Sequence, residues 1–285
     1  MPNLDSLEAV EYLAVGHVAH DLTANGARLG GTVAYSALTA RALGMKAGIV
    51  TAAGKETPLG ALDGIPIISI ESPHSTTFEN MYTDRGRVQY VRAQASSIGF
   101  DAVPPLWRKA SIVHLAPIAN EMDLPLPEVF SPALLGVTPQ GWMRGWEADG
   151  RVSRSEWLNS ESVLQKANAV VVSREDVNGD HELIEQMAHQ TRMLAVTEGA
   201  EGCVLYWNGD RRRFRAPEVK EVDATGAGDV FATAFFIRLL RTRDPWEAAR
   251  FATLLASHSV TRVGLEGIPT QAEIESCLME VLRAR

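Results

Sequence analysis

The chain has 285 residues, 46% of them hydrophobic, enough for one large core or two modest ones. Its formal net charge of −8 argues against a nucleic-acid or membrane-surface role, since those partners want a basic face. Phosphate ligands stay open, because they need only local positive groups and a metal. The two cysteines, Cys203 and Cys277, lie in apolar segments and read as buried thiols rather than a disulfide framework. No apolar run reaches about 18 residues and no basic-then-apolar leader opens the chain, so the expectation is a cytoplasmic protein.

Taken in order, Tyr12 to Val18 is a short apolar run suited to a strand buried on both faces, with Gly16 near its end and His20-Asp21 after it. A loop leads to Gly30-Gly31, which opens a helix from about Thr32 to Leu43 that Gly44 stops. Lys46 to Ala53 and Ile65 to Ile70 are the next strands, so strand and helix alternate as in a parallel sheet with crossover helices. Thr77–Thr83 and Arg87–Arg92 flank Asp84-Arg85-Gly86, a hairpin appended to this α/β chain, with a plain surface hairpin as the alternative.

Ser111–Ala116 and Leu134–Thr138 are strands, and Pro125 and Pro127 limit any helix between Glu121 and Phe130. Gln140–Val152 reads as a loop or small hairpin, Glu156–Lys166 as a helix and Ala169–Val172 as a strand. His181–Gln190 is helical and Met193–Thr197 a strand; a second hairpin turns at Asn208-Gly209. Its Arg211-Arg212-Arg213 run suits a solvated edge strand. Three helices close the chain, about Ala227–Arg241, Pro245–Val260 and Gln271–Leu282, with Thr270 placed for an N-cap.

The stretch Asp223-Ala-Thr-Gly-Ala-Gly-Asp-Val-Phe-Ala-Thr-Ala-Phe-Phe236 carries the chemistry. Gly226 and Gly228 permit a tight turn and close approach of backbone to a ligand. A glycine turn feeding a helix leaves N–H groups unpaired at the positive dipole end, which is an anion site suited to phosphate. Asp229 lies among those donors, where a carboxylate suits the base that takes a proton from an attacking hydroxyl; a carboxylate placed there by the helix dipole alone is the alternative.

That string resembles the C-terminal signature of the ribokinase-like (PfkB) family of small-molecule kinases. The resemblance implies a three-layer α/β/α fold with a central, mostly parallel sheet and a small β lid, and 1–285 as one kinase domain. It makes Asp229 the catalytic base and the N–H groups of Gly226, Ala227 and Gly228 an anion hole. Val15-Gly-His-Val-Ala-His-Asp21 is similar to the family's strand, glycine and aspartate, with Asp21 the ligand of acceptor hydroxyls and Gly30-Gly31 pressed against the substrate.

The chain also departs from the pattern. Tyr35 stands where ribokinase has an asparagine, which argues against ribose, and the short Asp21–Gly30 stretch implies a reduced lid that includes about 77–93. The family's Asn-x-x-Glu appears as Ser173-Arg-Glu-Asp176, with Asp176 the candidate magnesium residue, through water; helix capping is the alternative reading. Thr197, Gly199 and Gly202 resemble the segment beside the nucleotide, with Thr225 and Gly264 on the same side. Thr138-Pro-Gln140-Gly-Trp-Met-Arg144 differs from the sugar-acid kinase motif but leaves Gln140 or Arg144 to face the substrate, and its Gln-Gly followed by an arginine resembles inositol-kinase-like members.

The implied cofactors are ATP and Mg²⁺, with a monovalent cation as a further candidate near Asp223–Thr225. The implied partner is a sugar, a polyol such as inositol, or a nucleoside, bound by a monomer or homodimer. Rival classes lack their signatures. The turn has no third glycine for a dinucleotide fold, Gly54-Lys55 is followed by Glu56 rather than Ser or Thr, and the seven histidines are scattered. A non-catalytic sugar-binding protein of the same fold is the rival from another class, and it would have no need of Asp229.

Overall fold

The computed structural model describes residues 7–23, 26–83, 86–123 and 130–278. In chain order it runs β1 (Tyr12–Val15), β2 (Ala19–Thr23), β3 (Gly26–Gly30), α1 (Thr32–Ala42), β4 (Ala47–Ala53), β5 (Ile67–Glu71), β6 (Thr76–Thr83) and β7 (Gly86–Ala93). It continues β8 (Ile112–Leu115), β9 (Leu134–Val137), β10 (Arg144–Trp146), β11 (Val152–Arg154), α2 (Ser160–Leu164), β12 (Ala169–Ser173), α3 (His181–Gln190) and β13 (Met193–Thr197). The last elements are β14 (Cys203–Trp207), β15 (Asp210–Phe214), α4 (Ala227–Thr242), α5 (Pro245–Ser259) and α6 (Gln271–Leu278).

Strands that read as unbroken apolar runs occupy the middle of a nine-stranded sheet, ordered β15-β14-β13-β12-β9-β8-β1-β4-β5. Each strand from β13 to β5 in that order pairs parallel with its neighbour, while β14 and β15 join antiparallel at one edge. Every residue of β1, β4, β8 and β9 is buried, because helices cover both faces. One face packs on α1, α4, α5 and α6 through Phe235, Phe236 and Phe251; the other packs on α2 and α3 with Trp107 and Trp142. The chain leaves β1 in one direction toward β4 and β5, and in the other toward β8, β9, β12 and β13. A crevice therefore opens at the carboxyl ends of the strands, where ligands settle in sheets of this topology.

A second sheet, ordered β3-β2-β6-β7, stands over that crevice, and β10-β11 forms a small hairpin beside it. The expected loop between Asp21 and Gly30 is instead the β2–β3 hairpin, which pairs through β2 with β6. The expectation missed it because its five-residue strands contain His, Asp, Arg and Gly rather than β-branched residues; pairing with β6 outweighs that weak propensity. The second sheet thus has four strands, two more than the sequence reading gave it.

The helix expected over Glu156–Lys166 shortens to α2, since Asn159 caps its start in a left-handed conformation. Residues 84–85, 124–129 and 279–285, which hold the first hairpin's turn, most of the Glu121–Phe130 segment and the end of the last helix, lie outside the described residues. Thr270 caps α6 as expected. Its hydroxyl accepts the Glu273 N–H at 3.3 Å, and Glu273 returns a carboxylate to the Thr270 N–H at 2.8 Å.

A buried polar chain pins the sheet to α4. His114 Nδ1 lies 2.8 Å from the Tyr12 hydroxyl, His114 Nε2 lies 2.9 Å from the Thr138 hydroxyl, and Tyr12 donates to Thr233 at 3.2 Å. A neutral imidazole satisfies both neighbours, and burial pushes the His114 pKa down to about 3. The folded state therefore binds fewer protons than the unfolded one between about pH 6.5 and 3, so stability is lost as pH falls through that window. Relative to a His114→Gln variant, the wild type should lose about 1.4 kcal/mol per pH unit between about pH 6 and 4. Parallel denaturation curves for the two proteins across that range would refute the assignment.

Candidate active site

The glycine turn is built as the sequence demands. Gly226 adopts φ +80°, a conformation that a side chain disfavours, and α4 starts at the next residue. The N–H of Ala227 turns back to the Ala224 carbonyl at 3.2 Å and that of Asp229 to Gly226 at 3.0 Å. Among the described residues, the N–H groups of Gly226 and Gly228 meet no acceptor and are free for an anion. The three-amide expectation thus reduces to two open donors, with Ala227 partly engaged.

Asp229 sits in the first turn of α4, half-buried, and its pKa rises to about 7. Burial is the largest cause; a hydrogen bond from Thr32 and the Arg144 charge pull it down, and the carboxylates of Asp176 and Asp21 push it up. Asp21 lies in β2 across from Arg28 of β3. A Cβ at Gly30 would fall on the Asp21 carboxylate, so that glycine makes room for the aspartate without facing the ligand. Gly31, with φ +88°, precedes α1.

One cavity of about 490 Å³ collects these groups. Asp21, Gly31, Tyr35 and Gln140 line its end under the second sheet, Gly226, Ala227, Gly228 and Asp229 its middle, and Thr197, Gly199, Gly202 and Thr225 its far end. Asp176 lines it too: it accepts from Gln140 Nε2 at 2.8 Å and from the Ser173 N–H at 3.0 Å. Gly30 and Gly264 do not line it. The Gly264 N–H instead donates to Asp223 Oδ2 at 3.0 Å, while Asp223 Oδ1 accepts from the Thr225 N–H at 2.9 Å, so Asp223 braces the turn.

Comparison with known proteins matches residues 161–271 to the pfkB family carbohydrate kinase model. The chain is 40% identical to Bacillus subtilis ribokinase over 96 residues, 33% of this chain and 32% of that enzyme. It is 25% identical to an Escherichia coli fructokinase over 87% of this chain and 91% of the relative. The chain is thus similar to pfkB family carbohydrate kinases, with the family match lying in residues 161–271. The fold agrees: a pyrophosphate-dependent kinase of the ribokinase family, solved with a pyrophosphate analog and myo-inositol, superposes with TM-score 0.74 at 20% identity, over 94% of this chain and 100% of that one.

The charge around the cavity is lopsided. Asp21, Glu175, Asp176, Glu218, Glu221 and Asp229 line it, and among the described residues Arg144 is the one Lys or Arg that does. Arg144 donates to the Ile118 carbonyl at 3.0 Å and lies over the Phe78 ring at 5.3 Å. Sequence reasoning named Arg144 only as an alternative to Gln140, yet both face the cavity. It missed Thr32, Phe78, Asn80, Gln89 and Ile118. Phe78 and Asn80 were legible through the period of two along β6, once Asp21 is known to face the same space.

Glu121 had no signal at all. It is 1% exposed, and its carboxylate accepts the N–H groups of His17 (2.8 Å) and Ala119 (2.7 Å), which fixes the cavity floor where β1 and β8 end. No group of three or more His, Cys, Asp or Glu able to hold a metal occurs among the described residues. No helix among them is long and apolar enough to cross a membrane.

Proposed function

We propose that this chain transfers the γ-phosphoryl group of ATP to a hydroxyl of a small sugar or polyol, with a ring polyol such as inositol the favoured acceptor. The observation that carries the reading is that Asp21, Asp229 and the open amides of the glycine turn face one cavity. Asp21 accepts hydrogen bonds from acceptor hydroxyls, and Gly31, Gln140 and Arg144 complete that end. Tyr35, whose ring packs on Gly226, supplies an aromatic wall where ribose readers of the family carry an asparagine.

Asp229 takes the proton as the hydroxyl oxygen attacks phosphorus in line. The N–H groups of Gly226 and Gly228 receive the charge that develops on the transferring group. The second sheet serves as the lid that keeps water from competing as acceptor, and residues 1–285 work as one kinase unit.

The donor end supports a nucleotide over bare pyrophosphate. Beyond Thr225, the cavity is walled by Pro217, Val219, Ala256 and Val260, an apolar slot of use to a base and of none to a diphosphate. Magnesium fits the donor set, because that ion is held by one or two carboxylates, waters and substrate phosphates, and Asp176 is placed for this. It would offset the surplus of carboxylates and draw electron density from the phosphoryl oxygens.

A coupled ADP-release screen across sugars, polyols and nucleosides, run beside a parallel assay with pyrophosphate, tests the reading. ADP release that depends on a sugar or polyol is expected. Release independent of any acceptor would overturn the kinase assignment, and faster transfer from pyrophosphate would overturn the donor assignment.

A further inference from the structure

We infer that Gln140 is a positioning residue for the donor: its side-chain amide holds the Asp176 carboxylate in the orientation that meets the nucleotide's magnesium. The inference rests on the proposed kinase reading and gives Gln140 a second part, beside its place at the acceptor end. Gln140 and Asp176 follow the carboxyl ends of β9 and β12, which pair parallel in the sheet. Both line the cavity. Their contact is direct, with Gln140 Nε2 donating to Asp176 Oδ1 at 2.8 Å. Asp176 Oδ2 accepts the Ser173 N–H at 3.0 Å, so each carboxylate oxygen has a donor of its own.

The backbone under Gln140 is fixed. The Gly141 N–H donates to the Pro117 carbonyl at 2.8 Å, and a Cβ on Gly141 would fall on the Ile118 nitrogen. Trp142 Nε1 donates to the Met122 carbonyl at 2.9 Å and pins the same turn again. The amide therefore reaches Asp176 from a backbone with no room to shift.

The chemistry needs such a hold. An aspartate turns about two side-chain bonds, and Glu175 and Asp229 line the same cavity, so like charges would turn a loose Asp176 aside. Gln140 is neutral: it orients the carboxylate and leaves it the charge that a divalent ion requires. A carboxylate has about four acceptor sites, and the two donors leave the others for waters on the ion. Partners that orient a metal-holding side chain typically contribute about tenfold or more to metal affinity.

Gln140→Met keeps the length of the side chain and removes its N–H groups. Gln140→Asn keeps an amide but draws it back by one methylene. Calorimetry on the full chain, with a non-hydrolysable ATP analogue and no acceptor, reads the contact without turnover. With Mg²⁺ both variants should bind the analogue about tenfold more weakly than wild type, and with EDTA in place of Mg²⁺ within about twofold of it. In an Asp176→Ala background, Gln140→Met should change the Mg²⁺-supported affinity by less than about twofold, because the amide then has nothing to hold.

Wild-type affinity in the variants with Mg²⁺, equal losses with and without Mg²⁺, or an undiminished loss in the Asp176→Ala background would overturn the inference. A wild type that transfers phosphate to no acceptor would sink the kinase reading instead. The binding measurements need no acceptor, so they would still decide the part of Gln140.

Discussion

Asp229→Asn should lower kcat by about 10²- to 10⁴-fold while ATP still binds, the range that a general base contributes. The substitution keeps the shape of the side chain and the N–H donors of the turn but removes the proton acceptor. Donor affinity, read by fluorescence or calorimetry, should stay within about threefold of wild type, because the phosphates rest on backbone rather than on this carboxylate. A loss of kcat below about tenfold would show that some other group takes the proton.

The same variant makes a stability prediction of definite sign. The folded-state pKa of Asp229 stands at about 7, above the ordinary aspartate value of 3.8, so the folded protein holds this proton more tightly than the unfolded chain. Stability from that proton is present below the unfolded value and is lost as pH rises toward 7. Asp229→Asn should therefore gain stability over wild type progressively between about pH 4 and 7 and keep a constant advantage above. A difference in Tm that does not vary with pH would contradict the raised value.

The second large effect belongs to Gly226. An alanine there must hold φ at +80°, which costs about 1–2 kcal/mol, and its Cβ would fall inside the Tyr35 ring. Relief requires the turn or the ring to shift, and either movement disturbs an open amide or the acceptor wall. Gly226→Ala should lower kcat/KM for ATP by about 10²-fold, comparable with the loss of one donor to developing charge. Gly228→Ala is the control for stability: a Cβ there meets nothing within 4 Å, so its Tm should stay near that of wild type. Equal stability in both variants would remove the steric argument.

Much of this was legible in the sequence because backbone demands leave marks in composition. Parallel strands buried on both faces must be apolar throughout, as in Ile49–Val50 and Val170–Val172, and the glycine turn before α4 needs residues without Cβ. Polar hairpins leave a weaker mark. The β2–β3 strands are held by neighbours distant in sequence, so their own residues did not announce them.

The same holds for side chains that act across the fold. Glu121 collects amides from the ends of two strands that lie about a hundred residues apart in the chain. Gly264 shows the converse: expected beside the nucleotide, it does not line the cavity, and its N–H donates to Asp223.

The most direct measurement is the pH dependence of kcat/KM for the acceptor at saturating ATP. The account predicts a single acid limb centred near pH 7, below which the rate falls about tenfold per pH unit, and no such limb in the residual activity of Asp229→Asn. A flat profile from about pH 5.5 to 8.5 in the wild type, or the same limb in the variant, would contradict it.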